Sequence, residues 1–161
     1  GLSRNAGKRD KGGSGVDFTK EIFDAYLAGR TAITNQGTVA EISVHRQIAA
    51  EGMEKVIAAT AVHYINDTLG DMSKIGTADE NAANHNKHWA EMKAFTMALQ
   101  YNTFGKLTAA DLEQLHTLMG DAPKYDAPGT AAYDATVANL TEAASIFESV
   151  LGFSSANVAG W

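Results

Sequence analysis

With 161 residues, 45% of them hydrophobic and 20% charged, the chain can build one domain with its own apolar core. A net charge of −6 argues against a nucleic-acid-binding role, which needs a basic stripe. The absence of cysteine excludes thiolate nucleophiles, disulfides and sulfur-bound metals, and it leaves the cellular compartment open.

Residues 1–16 have loop composition. Their basic cluster, RNAGKRDK (Arg4 to Lys11), is interrupted by Asp10 and flanked by glycine, so it reads as solvated. A glycine-rich terminus frays unless something holds it, and the chain starts at Gly1 rather than Met. The expectation is a flexible or partner-bound segment over 1–16 of a processed or truncated polypeptide, and a helical domain over 17–161. No signal peptide is visible, and no apolar run approaches the roughly 20 residues that span a bilayer.

From Asp17, a plausible N-cap, Phe18, Ile22, Tyr26, Gly29 and Ile33 recur at helical spacing until Asn35-Gln36-Gly37. Thr38 with Glu41 has the spacing of a capping box and opens a long apolar-faced segment reaching about Leu69, in one helix or two stacked pieces. Gly52 within it either bends the helix or lets a neighbour approach closely. After a loop at Gly70 to Gly76, Thr77 with Glu80 repeats the capping-box spacing and predicts a helix running to about Tyr101. Thr108 begins a shorter helix closed by Gly120, and DAPKYDAPG is a turn-rich loop. A last long helix is expected from about Thr130 to Leu151, then one more turn with Trp161 packed. No strand-like alternation occurs. The predicted fold is an all-α helical bundle of about four main helices plus one or two short ones.

The stretch NHNKHWAEMKAF holds the residues most suited to chemistry. His85, His88 and Glu91 stand three apart, so they share a drifting ribbon on one helix. His88 lies one turn before Met92 and Glu91 one turn before Phe95, which turns both toward the core. A buried histidine and carboxylate need partners. The pair suits metal ligation through imidazole nitrogen and carboxylate oxygen, a carboxylate-oriented histidine, or a polar network fixing helix register. His63, one turn before Asp67, is the candidate to meet His88 across a helix pair. His45 shares its stripe, and His116 is peripheral. Motifs of zinc peptidases, phosphate-binding loops, nucleophile elbows and calcium hands are absent.

The segments AATAVHYIND, KHWAEMKAFTMALQYN and LTAADLEQLHTLMGDAP, with GSGVDFTKEIFDAYLAGRTAI upstream, resemble bacterial envelope lipoproteins of unknown function related to the imelysin-like proteins. The resemblance covers roughly Val16 to Pro123 and is most specific in HWAEMKAF. It implies an imelysin-like helical fold, of which this chain is similar to the second half. It also implies a Gly-x-His-x-x-Glu motif whose His and Glu fall on His88 and Glu91, with Asn86 standing at the glycine position. The resemblance further implies an envelope location, periplasmic or outer-membrane-associated, with membrane attachment only through a lipid anchor outside this sequence. A binding function follows, for a divalent metal or iron ion, with His88 and Glu91 as ligands and His85 and His63 as lesser candidates. The family's metallopeptidase label fits poorly, because one His-x-x-Glu does not supply about three ligands and an open position. The alternative is a non-enzymatic scaffold or interaction module, completed by another envelope protein or by the N-terminal half of the same precursor.

Overall fold

The computed structural model describes residues 1–10 and 15–161, and every described element is helical. In chain order these are α1 (Leu2–Arg9), α2 (Phe18–Thr34), α3 (Val39–Met72), α4 (Ala82–Leu99), α5 (Ala109–Met119), α6 (Ala131–Leu151) and α7 (Ser155–Gly160). None of them is long and apolar enough to cross a membrane. The all-α bundle expected from the helical periodicity is the observed one.

The central element is α3. Its 34 residues form one continuous helix, roughly 50 Å long at 1.5 Å per residue. The predicted capping box is present: Thr38 Oγ1 accepts from Glu41 N while a Glu41 carboxylate oxygen accepts from Thr38 N. Gly52 serves close approach, since a Cβ there would stand 2.6 Å from Cγ1 of Ile22 on α2. Gly29 of α2 meets His45 of α3 in the same way, so α2 runs antiparallel along the first half of α3. The second half of α3 is enclosed by α1, α4, α6 and α7, and α5 packs on α4 and α6. The core therefore sits at that end, around Val62, Ile65, Met92, Leu115, Leu140 and Phe147, all buried.

Most predicted caps act as caps. Asp17, Thr108 and Thr130 each accept a backbone N–H at the start of α2, α5 and α6, and Gly120 closes α5 with a positive φ of 70°. The Thr77–Glu80 pair is a correction. Glu80 accepts from Gly76 N, and Thr77 donates to Lys74 O, so both side chains serve the preceding turn and the cap of α4 is Asn81.

The loop expected over residues 1–16 is also corrected in part. Residues 2–9 are helical because Ala6 and Arg9 are buried against the bundle, and burial outweighs a weak local propensity. Asp10, just past α1, accepts from the backbone N–H groups of Phe18 and Thr19, adding a carboxylate to the positive end of α2. Lys11 to Ser14, the centre of the glycine-rich run, lie outside the described residues. At the other end Trp161 packs as expected, edge-on to Phe153 with centroids 4.7 Å apart and tilted against Phe18.

One buried acid ties the start of α5 to the middle of α3. Glu54 is 1% exposed, and its two oxygens accept from Lys106 N at 2.7 Å and Leu107 N at 3.0 Å. Gly105 makes room for it, as a Cβ there would lie 2.2 Å from Oε1. Replacing Glu54 by Ala leaves two backbone N–H donors unpaired, that of Leu107 buried and that of Lys106 partly so, and should cost roughly 2–4 kcal/mol in urea unfolding. Gly105→Ala should destabilise by displacing the carboxylate, and a variant as stable as wild type would show that the loop adapts instead.

Candidate functional site

The helix α4 presents its histidines to two different partners. On one side His85, Trp89 and Lys93 hold the end of α5 and the loop after it. Nε2–H of His85 donates to Lys124 O at 2.8 Å, the Trp89 indole N–H donates to Met119 O at 3.2 Å, and the Lys93 ammonium reaches His116 O. The Tyr125 ring stands edge-on to His85, and its hydroxyl donates to Asn86 Oδ1. His85 is thus a buried fastener of the 121–129 loop. Nε2 must carry its proton, because a carbonyl only accepts.

On the other side His88 and Glu91 face α3. Nδ1–H of His88 donates to Asp71 Oδ2 at 2.7 Å, which leaves Nε2 turned toward Asp67 Oδ2 at 3.8 Å. Nε2 of His63 approaches the same Asp67 oxygen at 3.4 Å. Carboxylates and imidazoles therefore alternate along the α3–α4 seam as Asp71, His88, Asp67 and His63. Tyr64 lies against the rings of His63 and His88 and stacks on Phe95. Glu91 turns to Tyr64 and to Lys87, whose ammonium is 4.0 Å from Oε2. Burial, helped by the Glu91 carboxylate, raises the Tyr64 phenol above its ordinary range. Arg9 closes the cluster from α1. Its guanidinium is buried near Tyr64 and Asp67, and burial lowers it against the attraction of both.

Sequence spacing turned His88 inward, as observed, and offered His63 as its counterpart; the two meet only through Asp67, which both approach. It placed Asp67 one turn after His63 but did not reveal Asp71 or Arg9 as partners, because Asp71 meets His88 from α3 and Arg9 lies on α1. The four proposed ligands do not converge: His85 faces the opposite side of α4, and Glu91 serves Tyr64. Among the described residues no group of three or more His, Asp or Glu could hold a metal ion. A guanidinium beside Asp67 further opposes a second cation there. The residues present do not fit a metal centre. What they do is tie α3 and α4 in register by charge and hydrogen bonding, with the Arg9 guanidinium of α1 drawn to the cluster by the Asp67 charge.

A second feature lies on the other half of α3. There α2 is the main helical neighbour, and the two helices form an arm whose outer residues are exposed: Phe23 (64%), Tyr26, Leu27 and Ile33 (60%) on α2, and Val44 and Ile48 on α3. A largely apolar groove of about 360 Å³ runs beside the seam between Tyr26 and Ile33 on α2 and Ile42 and Met53 on α3. Helical periodicity in the sequence marks Tyr26, Ile33 and Ile48 as apolar-face positions, and nothing in it distinguishes a covered face from an open one.

Burial holds the His63 imidazole below its ordinary 6.5, with Asp67 opposing and Arg9 assisting. The folded chain then binds fewer protons than the unfolded chain on the acid side, so stability present above about pH 6.5 is lost as the pH falls through the lowered value. The urea midpoint should drop between about pH 7 and about pH 5, and less steeply in His63→Gln. His116, also lowered by burial, keeps part of the slope. Tyr64 gives the opposite limb: its raised phenol makes stability fall as the pH climbs through and above about 10. Identical acid limbs in wild type and His63→Gln would remove His63 from this account.

Comparison with protein-family models, with curated proteins and with solved structures finds no match, so the site is read from its own geometry.

Proposed function

We propose that this chain is a non-enzymatic helical interaction module that works through the α2–α3 arm. The carrying observation is the exposure of Phe23, Tyr26, Leu27 and Ile33 along one helix whose opposite side already packs on α3. A helix with apolar residues on both sides is stable in water only when both are covered, and a contiguous exposed apolar patch marks a binding surface. The occupant that suits a two-helix arm is a further helix, which would lie along the seam and complete a bundle. Kinship with the imelysin-like proteins and an envelope location belong to the same proposal and rest on the HWAEMKAF resemblance. So does completion by the other half of a precursor or by another envelope protein. Metal or iron capture loses support here, because its intended ligands serve two separate faces of α4.

The arm reading separates an open surface from a core by substitution. Phe23→Glu with Ile33→Glu should change unfolding stability by no more than about 0.5 kcal/mol per site while abolishing binding of an apolar fluorescent dye. Amide exchange should be fast along α2 and over residues 39–48, and slow over residues 54–72 of α3. A loss of several kcal/mol in the double variant, or no dye binding by wild type, would show that these side chains are already covered in solution.

A further inference from the structure

The groove on the arm has a floor of small residues and a charged rim. Ala25, Gly29, Ala49 and Ala50 line it, so at this level α2 and α3 present almost bare backbone at their seam. Gly29 touches His45, which places their neighbours Arg30 and Arg46 at one level on the two helices. Both arginines line the groove, and no acidic residue does. Arg46 lies over the Phe104 ring at 4.4 Å, a contact that orients the guanidinium without neutralising it. Among the described residues neither arginine is in an ion pair. In a chain of net charge −6, the arm thus carries a local pair of uncompensated positive charges across an apolar trough.

That pattern selects the occupant. An apolar side chain can settle onto the small-residue floor, and carboxylates on either edge of its stripe can reach the two guanidinium groups. A second copy placing its own groove here would bring the same two arginines and no acidic lining residue to the contact, since a two-fold interface pairs one patch with itself. We infer that the groove binds one amphipathic helix of a partner protein whose apolar stripe is flanked by Asp or Glu. The inference rests on the arm reading and adds the chemistry of the partner.

Two synthetic helical peptides of about 18 residues, long enough to follow α2, provide the probe. Both carry the same Leu and Ala stripe, flanked by Glu in one and by Lys in the other, with a fluorescent label for polarisation titration against the full chain. The Glu-flanked peptide should bind about fivefold to tenfold tighter, the gain expected from two exposed ion pairs against two repulsions. Added salt should erase the difference. Arg30→Glu with Arg46→Glu should reverse the preference, and Ala50→Leu, which fills the floor, should weaken both peptides. Equal binding of the two peptides, or binding untouched by Ala50→Leu, overturns the acidic-flanked helix while leaving the arm reading to its dye and exchange test. Self-association of the wild type that disappears in the double arginine variant overturns it in favour of a second copy. Absence of peptide binding while the dye still binds sinks this inference alone, and absence of both sinks the arm reading with it.

Discussion

The length of α3 sets the architecture. A helix of 34 residues extends well beyond the partners that enclose its second half, so it leaves the bundle with α2 as its main support. Burial follows that division. From Glu54 to Met72 the inward positions are closed on all sides by four other helices, whereas from Val39 to Ile48 no residue is buried. Apolar surface removed from water is the main favourable term in folding, so cohesion concentrates at one end of α3. The other end is held by a narrow seam of Gly29, Gly52, Ala25 and Ala49, where close backbones gain dispersion contacts but bury little side-chain area.

Polar residues position what the core stabilises. The two faces of α4 illustrate the division: His85, Trp89 and Lys93 donate to main-chain carbonyls of α5 and the loop after it, and His88 donates to Asp71. Each such bond adds little net energy, but leaving any of the buried groups without its partner is expensive. A slip of α4 by one residue would orphan all of them together. The cluster of Asp67, Asp71, His63 and His88 therefore specifies how α4 sits on α3, with Arg9 of α1 buried beside it and an added sensitivity to pH through His63. Glu54 performs the same service at the junction of bundle and arm, where it gathers the start of α5 onto the middle of α3.

Local chemistry was readable in the sequence; convergence in space was much less so. Asp17, Thr38, Thr108 and Thr130 announce their helices because a cap and the amide it bonds lie within three residues. Thr77 and Glu80 have the same spacing, yet they bond to Lys74 and Gly76, since a capping signature also suits a turn. The helix at Leu2–Arg9 was hidden by its glycines and formed by burial of Ala6 and Arg9, which no local pattern encodes. His88 was correctly read as inward from its distance to Met92. His85 was grouped with it because a three-residue step drifts on a helix, and that drift is enough to carry it to another neighbour. Asp67 stands one turn after His63, but its approach to His88, like that of Asp71, crosses from α3 to α4 and leaves no mark in local spacing.

The same reasoning explains why the openness of the arm was not legible in the sequence. Periodicity reports that a face is apolar; it does not say what covers it. In the bundle every such face of α3 found a helix from this chain, down to the six residues of α7. Along α2, Phe23, Tyr26, Leu27 and Ile33 follow the same helical spacing as residues that are buried elsewhere, and here they meet solvent. A solvated helix pair held by a glycine seam has little to gain from these large apolar side chains, and polar ones would serve it better. Their presence beside two uncompensated arginines is physically consistent once a further helix is included, because only then does each residue on the arm gain from the position it occupies.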